Sequence, residues 1–112
     1  MCTAAQLESI MQKMVACYNS YFGANVVGIY LYGSYARGDY DEESDIDIAA
    51  IVKGERKDLQ NTLKFIWELS ADIGLEHDVV ISPTVIPYDE YERYKRILPY
   101  YISIEKEGKR IG

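Results

Sequence analysis

The stretch Ser44-Asp45-Ile46-Asp47-Ile48-Ala49-Ala50-Ile51-Val52 reads as a buried strand that carries two acids on one face. Side chains along a strand alternate between faces, so Asp45 and Asp47 point one way while Ile46 and Ile48 point into a core. The apolar run that follows implies burial, where unpaired carboxylates are costly. Two like charges side by side resist joint ionisation unless a cation lies between them. Magnesium is the expected occupant, because this hard ion is held by one or two carboxylates together with the phosphates of a substrate.

The rest of the chain supplies elements to pack around that strand. Leu7, Ile10, Met11, Met14, Val15 and Tyr18 recur at helical spacing, with Thr3 and Gln6 as a capping box and Gly23 near the end. Val26 to Tyr32 is β-branched and aromatic and stops at Gly33, which predicts a buried strand. After the polar turn Lys53 to Lys57, Leu59, Leu63, Ile66 and Trp67 mark the buried face of a helix that Gly74 is expected to close. A third strand is expected from Leu75 through Ile81, then a loop bracketed by Pro83 and Pro87. Tyr91, Tyr94, Ile97, Leu98, Tyr101 and Ile102 suggest helical packing, restarted or kinked at Pro99. The order is α-β-β-α-β-α, an α/β (α+β) chain whose residues 1–112 form one domain.

This order makes a geometric prediction. If the first two strands pair antiparallel, the Gly33-Ser34 turn lies at the same sheet edge as Asp45. A helical crossover to a parallel third strand returns the chain to that edge, bringing Asp78 there. Gly33 permits a sharp turn with an open amide and Ser34 adds a hydroxyl, so both are candidates for binding the outer phosphates of a nucleoside triphosphate. Arg37 is placed to neutralise a phosphate. Asp45, Asp47 and Asp78 would hold two magnesium ions about 4 Å apart, for in-line attack of a hydroxyl on the α-phosphate with pyrophosphate leaving. Glu76, two residues before Asp78, is an alternative third carboxylate. The spacing from Gly33 to Gly38 does not make a P-loop, because Asp39 stands where that motif needs lysine.

Gly33-Ser34-Tyr35-Ala36-Arg37-Gly38, Ser44-Asp45-Ile46-Asp47-Ile48 and His77-Asp78-Val79-Val80 together resemble the minimal nucleotidyltransferases of the DNA polymerase β superfamily, and among them the MNT-type antitoxins paired with HEPN-domain ribonuclease toxins. The resemblance implies a mixed sheet flanked by helices, magnesium, ATP as substrate, and transfer of AMP. In toxin-paired members it implies a tyrosine of the partner HEPN toxin as acceptor. Nucleotidylation of a small hydroxyl compound, and a non-catalytic antitoxin that binds its toxin by occlusion, are the alternatives.

Composition sets the outer limits. A chain of 112 residues has little room for a separate acceptor-binding domain, so a large acceptor is expected to be gripped through a partner or an oligomer. The net charge of −6 argues against tight unaided binding of nucleic acid, which needs a basic face. Cys2 and Cys17 share no metal or redox spacing and read as reduced thiols, which favours a cytoplasmic location. No apolar run approaches the roughly 20 residues of a membrane span, and no signal-peptide order opens the chain. The neighbouring Asp39, Asp41, Glu42 and Glu43 read as a solvated loop, His77 as a residue on the second face of its strand, and Trp67 as core. Of the eleven tyrosines, Tyr88, Tyr91, Tyr94, Tyr100 and Tyr101 are candidates for a partner surface.

Overall fold

A computed structural model describes residues 3–112, so Cys2 lies outside the described residues. Helix α1 (Ala4–Phe22) starts at the expected capping box, with the Thr3 hydroxyl accepting from the Gln6 amide and the Gln6 side chain accepting from the Thr3 amide. Ile10, Met14 and Tyr18 form its buried stripe, and Gly23 takes a positive φ of 54° to turn the chain into a short 3₁₀ segment. Strand β1 (Val26–Tyr32), the single turn α2 (Ser34–Arg37) and strand β2 (Ile46–Val52) follow. The long helix α3 (Arg56–His77) crosses to strand β3 (Ile81–Pro87). Two helices, α4 (Tyr88–Tyr94) and α5 (Pro99–Glu107), precede a two-residue strand β4 (Lys109–Arg110).

The sheet order is β3-β2-β1-β4. Strands β1 and β2 are antiparallel and β2 and β3 parallel, as the crossover argument requires. Period-2 alternation then divides the sheet into two faces. Ile29, Leu31, Ile46, Ile48, Ala50, Val52, Ile81 and Val85 face α1 and α3 in the larger core. Ala49, Ile51 and Ile86 face Tyr91, Tyr101 and Ile104 of α4 and α5 in a smaller one. Tyr18 is fully buried, and its hydroxyl satisfies the cost of burial by donating to the Thr84 carbonyl at 2.8 Å.

Four sequence expectations change here. Helix α3 does not close at Gly74 but runs to His77, with Asp78 as its cap in the left-handed conformation (φ 55°). Gly74 serves a different need: a Cβ there would meet the Val79 carbonyl oxygen at 2.5 Å, so the glycine admits the returning chain, whose Val79 amide donates to the Gly74 carbonyl. The third strand consequently starts at Ile81 and contains Pro83 and Pro87, the residues expected to bracket a loop. Strand β3 is an edge strand, where a missing amide donor is tolerated. His77 is thus the last helical residue, with a buried Nε2 that has no hydrogen-bond partner among the described residues, and Trp67 is half exposed instead of core because it lies off the Leu59-Leu63-Ile66-Ser70 stripe.

Candidate functional site

Asp47 shares its sheet face with Ala49 and Ile51, the face packed against α4 and α5, but at the end of the strand where that cover stops. Asp45 immediately precedes β2 and is exposed. Burial raises the Asp47 carboxyl above its ordinary pKa, the charge of Asp45 raises it further, and Arg37 partly opposes both. Among the described residues no hydrogen-bond donor is directed at the Asp47 carboxylate, whereas Asp45 receives the Ser82 hydroxyl at 3.4 Å. A half-buried Asp47 beside an exposed Asp45 therefore concentrates negative charge with unused oxygen lone pairs.

The turn after β1 lies directly on this pair. Gly33 has φ 75° and ψ −155°, a conformation essentially closed to residues with a side chain. A Cβ at that position would collide with Asp47 Oδ2 and stand 3.3 Å from its Cγ. The turn carbonyl accepts from the Ala36 and Arg37 amides, which winds Ser34 to Arg37 into one helical turn that ends at Gly38 in the left-handed region. Arg37 is engaged, bonded to Asp39 and to Glu107 of α5 at 3.2 Å each. These carboxylates, Asp39 first, strengthen its hold on its proton.

Asp78 does not stand on β3 as expected. It caps α3 three residues before the strand and lines a cavity of about 320 Å³ together with Tyr35, Glu43, Ser44, Asp45 and Val79. It is at the predicted edge of the sheet, yet no three acidic, histidine or cysteine side chains among the described residues converge closely enough to hold a metal ion. Glu76 does not take its place, since its carboxylate pairs with Lys13 at 3.3 Å. The position on β3 that lies in register with Asp47 belongs to Ser82. Reading Pro83 as an edge-strand proline would have moved the strand past Asp78 to include Ser82. Sequence reasoning also misses Tyr32, in register with Asp47 on β1; its place as the last strand residue before Gly33 is the signal that could have found it.

The donor set suits a hard divalent cation. Two carboxylates two residues apart offer oxygen ligands, and Arg37 offsets the charge at Asp47 only in part. A magnesium ion needs no third carboxylate when phosphates and waters complete its shell.

Residues 11–111 match the family described as the nucleotidyltransferase domain. The chain is 32% identical over 88 residues to the protein adenylyltransferase MntA of Thermococcus cleftensis, an alignment that covers 76% of this chain and 83% of the relative. Among solved structures it shares its fold with a chain of a toxin–antitoxin complex with AMP-PNP (TM-score 0.56, 20% identity, covering 94% of this chain and 72% of that one). It likewise matches a chain of the tri-AMPylated Shewanella oneidensis HEPN toxin in complex with MNT antitoxin (TM-score 0.52, 18% identity, 96% and 71%). Among the described residues no helix is long and apolar enough to cross a membrane.

Proposed function

The chain belongs to the nucleotidyltransferase domain family, and from that premise we propose that it moves AMP from ATP to a tyrosine hydroxyl of a HEPN-domain toxin, acting as the antitoxin of the pair. The observation that carries this reading is the contact between the Gly33 turn and Asp47, which sets phosphate-binding groups beside cation-binding ones. The names of the relative and of the two complexes support adenylyl transfer and a HEPN partner.

In this mechanism the Gly33 amide and the Ser34 hydroxyl bind the outer phosphates of ATP. Arg37 exchanges one of its carboxylate partners for a phosphate oxygen. Asp45 and Asp47 would hold magnesium, which when bound would supply charge neutralisation for the triphosphate and the leaving pyrophosphate. The acceptor oxygen forms a bond to the α-phosphorus as the bond to pyrophosphate breaks. Asp78 lines the cavity beside Asp45, and its proposed role is to take the proton of the attacking hydroxyl. The protein's contribution is positioning and electrostatic neutralisation.

The decisive assay incubates wild type, Asp47→Asn and Asp78→Asn with Mg²⁺, α-labelled ATP and candidate acceptors, the product of the adjacent gene and a purified HEPN-domain toxin among them. Asp47→Asn is expected to abolish labelling of the toxin while the two proteins still copurify. Asp78→Asn is expected to slow transfer by about 10²-fold, the scale of a lost general base, without weakening Mg²⁺-ATP binding. Undiminished labelling by Asp47→Asn would refute catalysis at this pair. Undiminished toxin neutralisation without labelling would instead establish occlusion. Loss of Mg²⁺-ATP binding in Asp78→Asn would return that residue to the metal shell.

A further inference from the structure

An aromatic arrangement beside the carboxylates has no role in the mechanism above. Tyr32 pairs in register with Asp47, so the two side chains are neighbours on one sheet face. Its hydroxyl meets the Tyr100 hydroxyl at 2.6 Å, and the two rings pack edge to face with centroids 5.6 Å apart. Tyr100 also packs at a tilt against the buried Tyr101, at 5.7 Å.

Helix α5 explains why these contacts matter to the site. Tyr100, Ser103 and Glu107 are spaced by three and four residues and so share one stripe of the helix. Tyr100 meets Tyr32, Glu107 meets Arg37, and Ser103 bonds to Glu107 between them. That stripe forms a wall along the site, from the phosphate-binding turn to the strand position beside Asp47. Tyr100 is fixed at its hydroxyl and against two rings, yet 43% of it remains exposed. A ring immobilised in advance has little conformational entropy left to lose when a flat ligand lies on it.

We propose that Tyr100 is the stacking surface for the base of the bound nucleoside triphosphate, with Tyr32 as the positioning residue that holds its ring. The inference rests on the reading of Asp45, Asp47 and the Gly33 turn as the triphosphate site. Tyr100 lies one side chain beyond Tyr32, and hence two side-chain widths from Asp47. In a nucleotide, one ribose separates the base from the α-phosphate, a spacing of the same order. Stacking tolerates any base because every base has a π-face. Tyr100 accordingly supplies affinity and orientation but little discrimination between ATP and GTP.

The test is calorimetric titration of the full chain with Mg²⁺-ATP and with Mg²⁺-tripolyphosphate, a probe that has the phosphates but no base. Tyr100→Ala is expected to weaken ATP by about tenfold or more, and to leave tripolyphosphate within about twofold, which also shows that the turn and carboxylates remain folded. Tyr100→Phe keeps the ring but gives up the hydroxyl contact with Tyr32, and is expected to weaken ATP by less than Tyr100→Ala and to leave the probe unchanged. Tyr32→Phe, which loses only the hydroxyl contact, should weaken ATP by less than Tyr100→Ala and leave the probe unchanged. Unaltered ATP affinity in Tyr100→Ala, or equal losses for both ligands, would overturn the stacking role while leaving the triphosphate site intact. A wild-type chain that binds neither ligand would remove the site itself and the inference with it.

Discussion

Replacing Gly33 by alanine separates the stability of this fold from its chemistry, provided that Gly38→Ala is measured alongside. Both glycines have positive φ, at 75° and 86°. Gly38 lies in the left-handed region, and a methyl placed on it would have nothing within 4 Å, so alanine there meets only the conformational cost, about 1 kcal/mol. Gly33 lies in a region almost confined to glycine, where alanine costs on the order of 1–3 kcal/mol. Its methyl would also collide with Asp47 Oδ2. That collision is relieved cheaply by rotating a short side chain, but the rotation moves the carboxylate proposed to hold the metal. At about 4 °C per kcal/mol for a domain of this size, Gly38→Ala should lower Tm by about 4 °C and Gly33→Ala by about 8 °C. Transfer of label from α-labelled ATP, measured well below both transitions, should be almost normal for Gly38→Ala. For Gly33→Ala it should fall by about 10²-fold, the scale of an ångström-sized misplacement of a reacting group. If Gly33→Ala transferred AMP as well as Gly38→Ala, the carboxylate would not be where the chemistry happens and the reasoning from the turn would be wrong.

Two further outcomes follow from the same electrostatics. Burial and Asp45 raise the Asp47 pKa on folding, so the ionised carboxylate opposes folding above its raised pKa, and this opposition disappears as the pH falls through that value toward the unfolded one near 3.8. Without magnesium, Asp47→Asn should thus raise Tm at neutral pH and give no gain under acid conditions below the unfolded value; thermal melts across pH check this, and a variant less stable than wild type at pH 7 would refute it. Glu107→Gln removes one of the two carboxylates that engage Arg37, and should tighten Mg²⁺-ATP binding in a calorimetric titration, whereas weakened binding would show that the ion pair holds Arg37 in its working position.

The divided outcome at the site has a physical cause. Strand alternation is a local property with a period of two residues, which is why Asp45-Ile46-Asp47-Ile48 showed by itself which side chains face the larger core and which face the other side of the sheet. The antiparallel turn at Gly33 and the parallel crossover were also readable, because short connections and crossover geometry leave few choices. Chain position along α3 was not readable in this way. Gly74 carries the same sequence signal whether it ends a helix or admits a neighbouring backbone, and only its contact with the Val79 carbonyl decides between them.

Sequence alone determined the carboxylate pair and the glycine turn, because each depends on residues adjacent in the chain. The tertiary structure decided what stands beside them. By extending α3 to His77 it moved Asp78 off the strand and put Ser82 in register with Asp47, and by docking α5 across the second face it brought Tyr100 to Tyr32 and Glu107 to Arg37. Register and docking are set by how distant segments share one core, and no window of the sequence contains both partners.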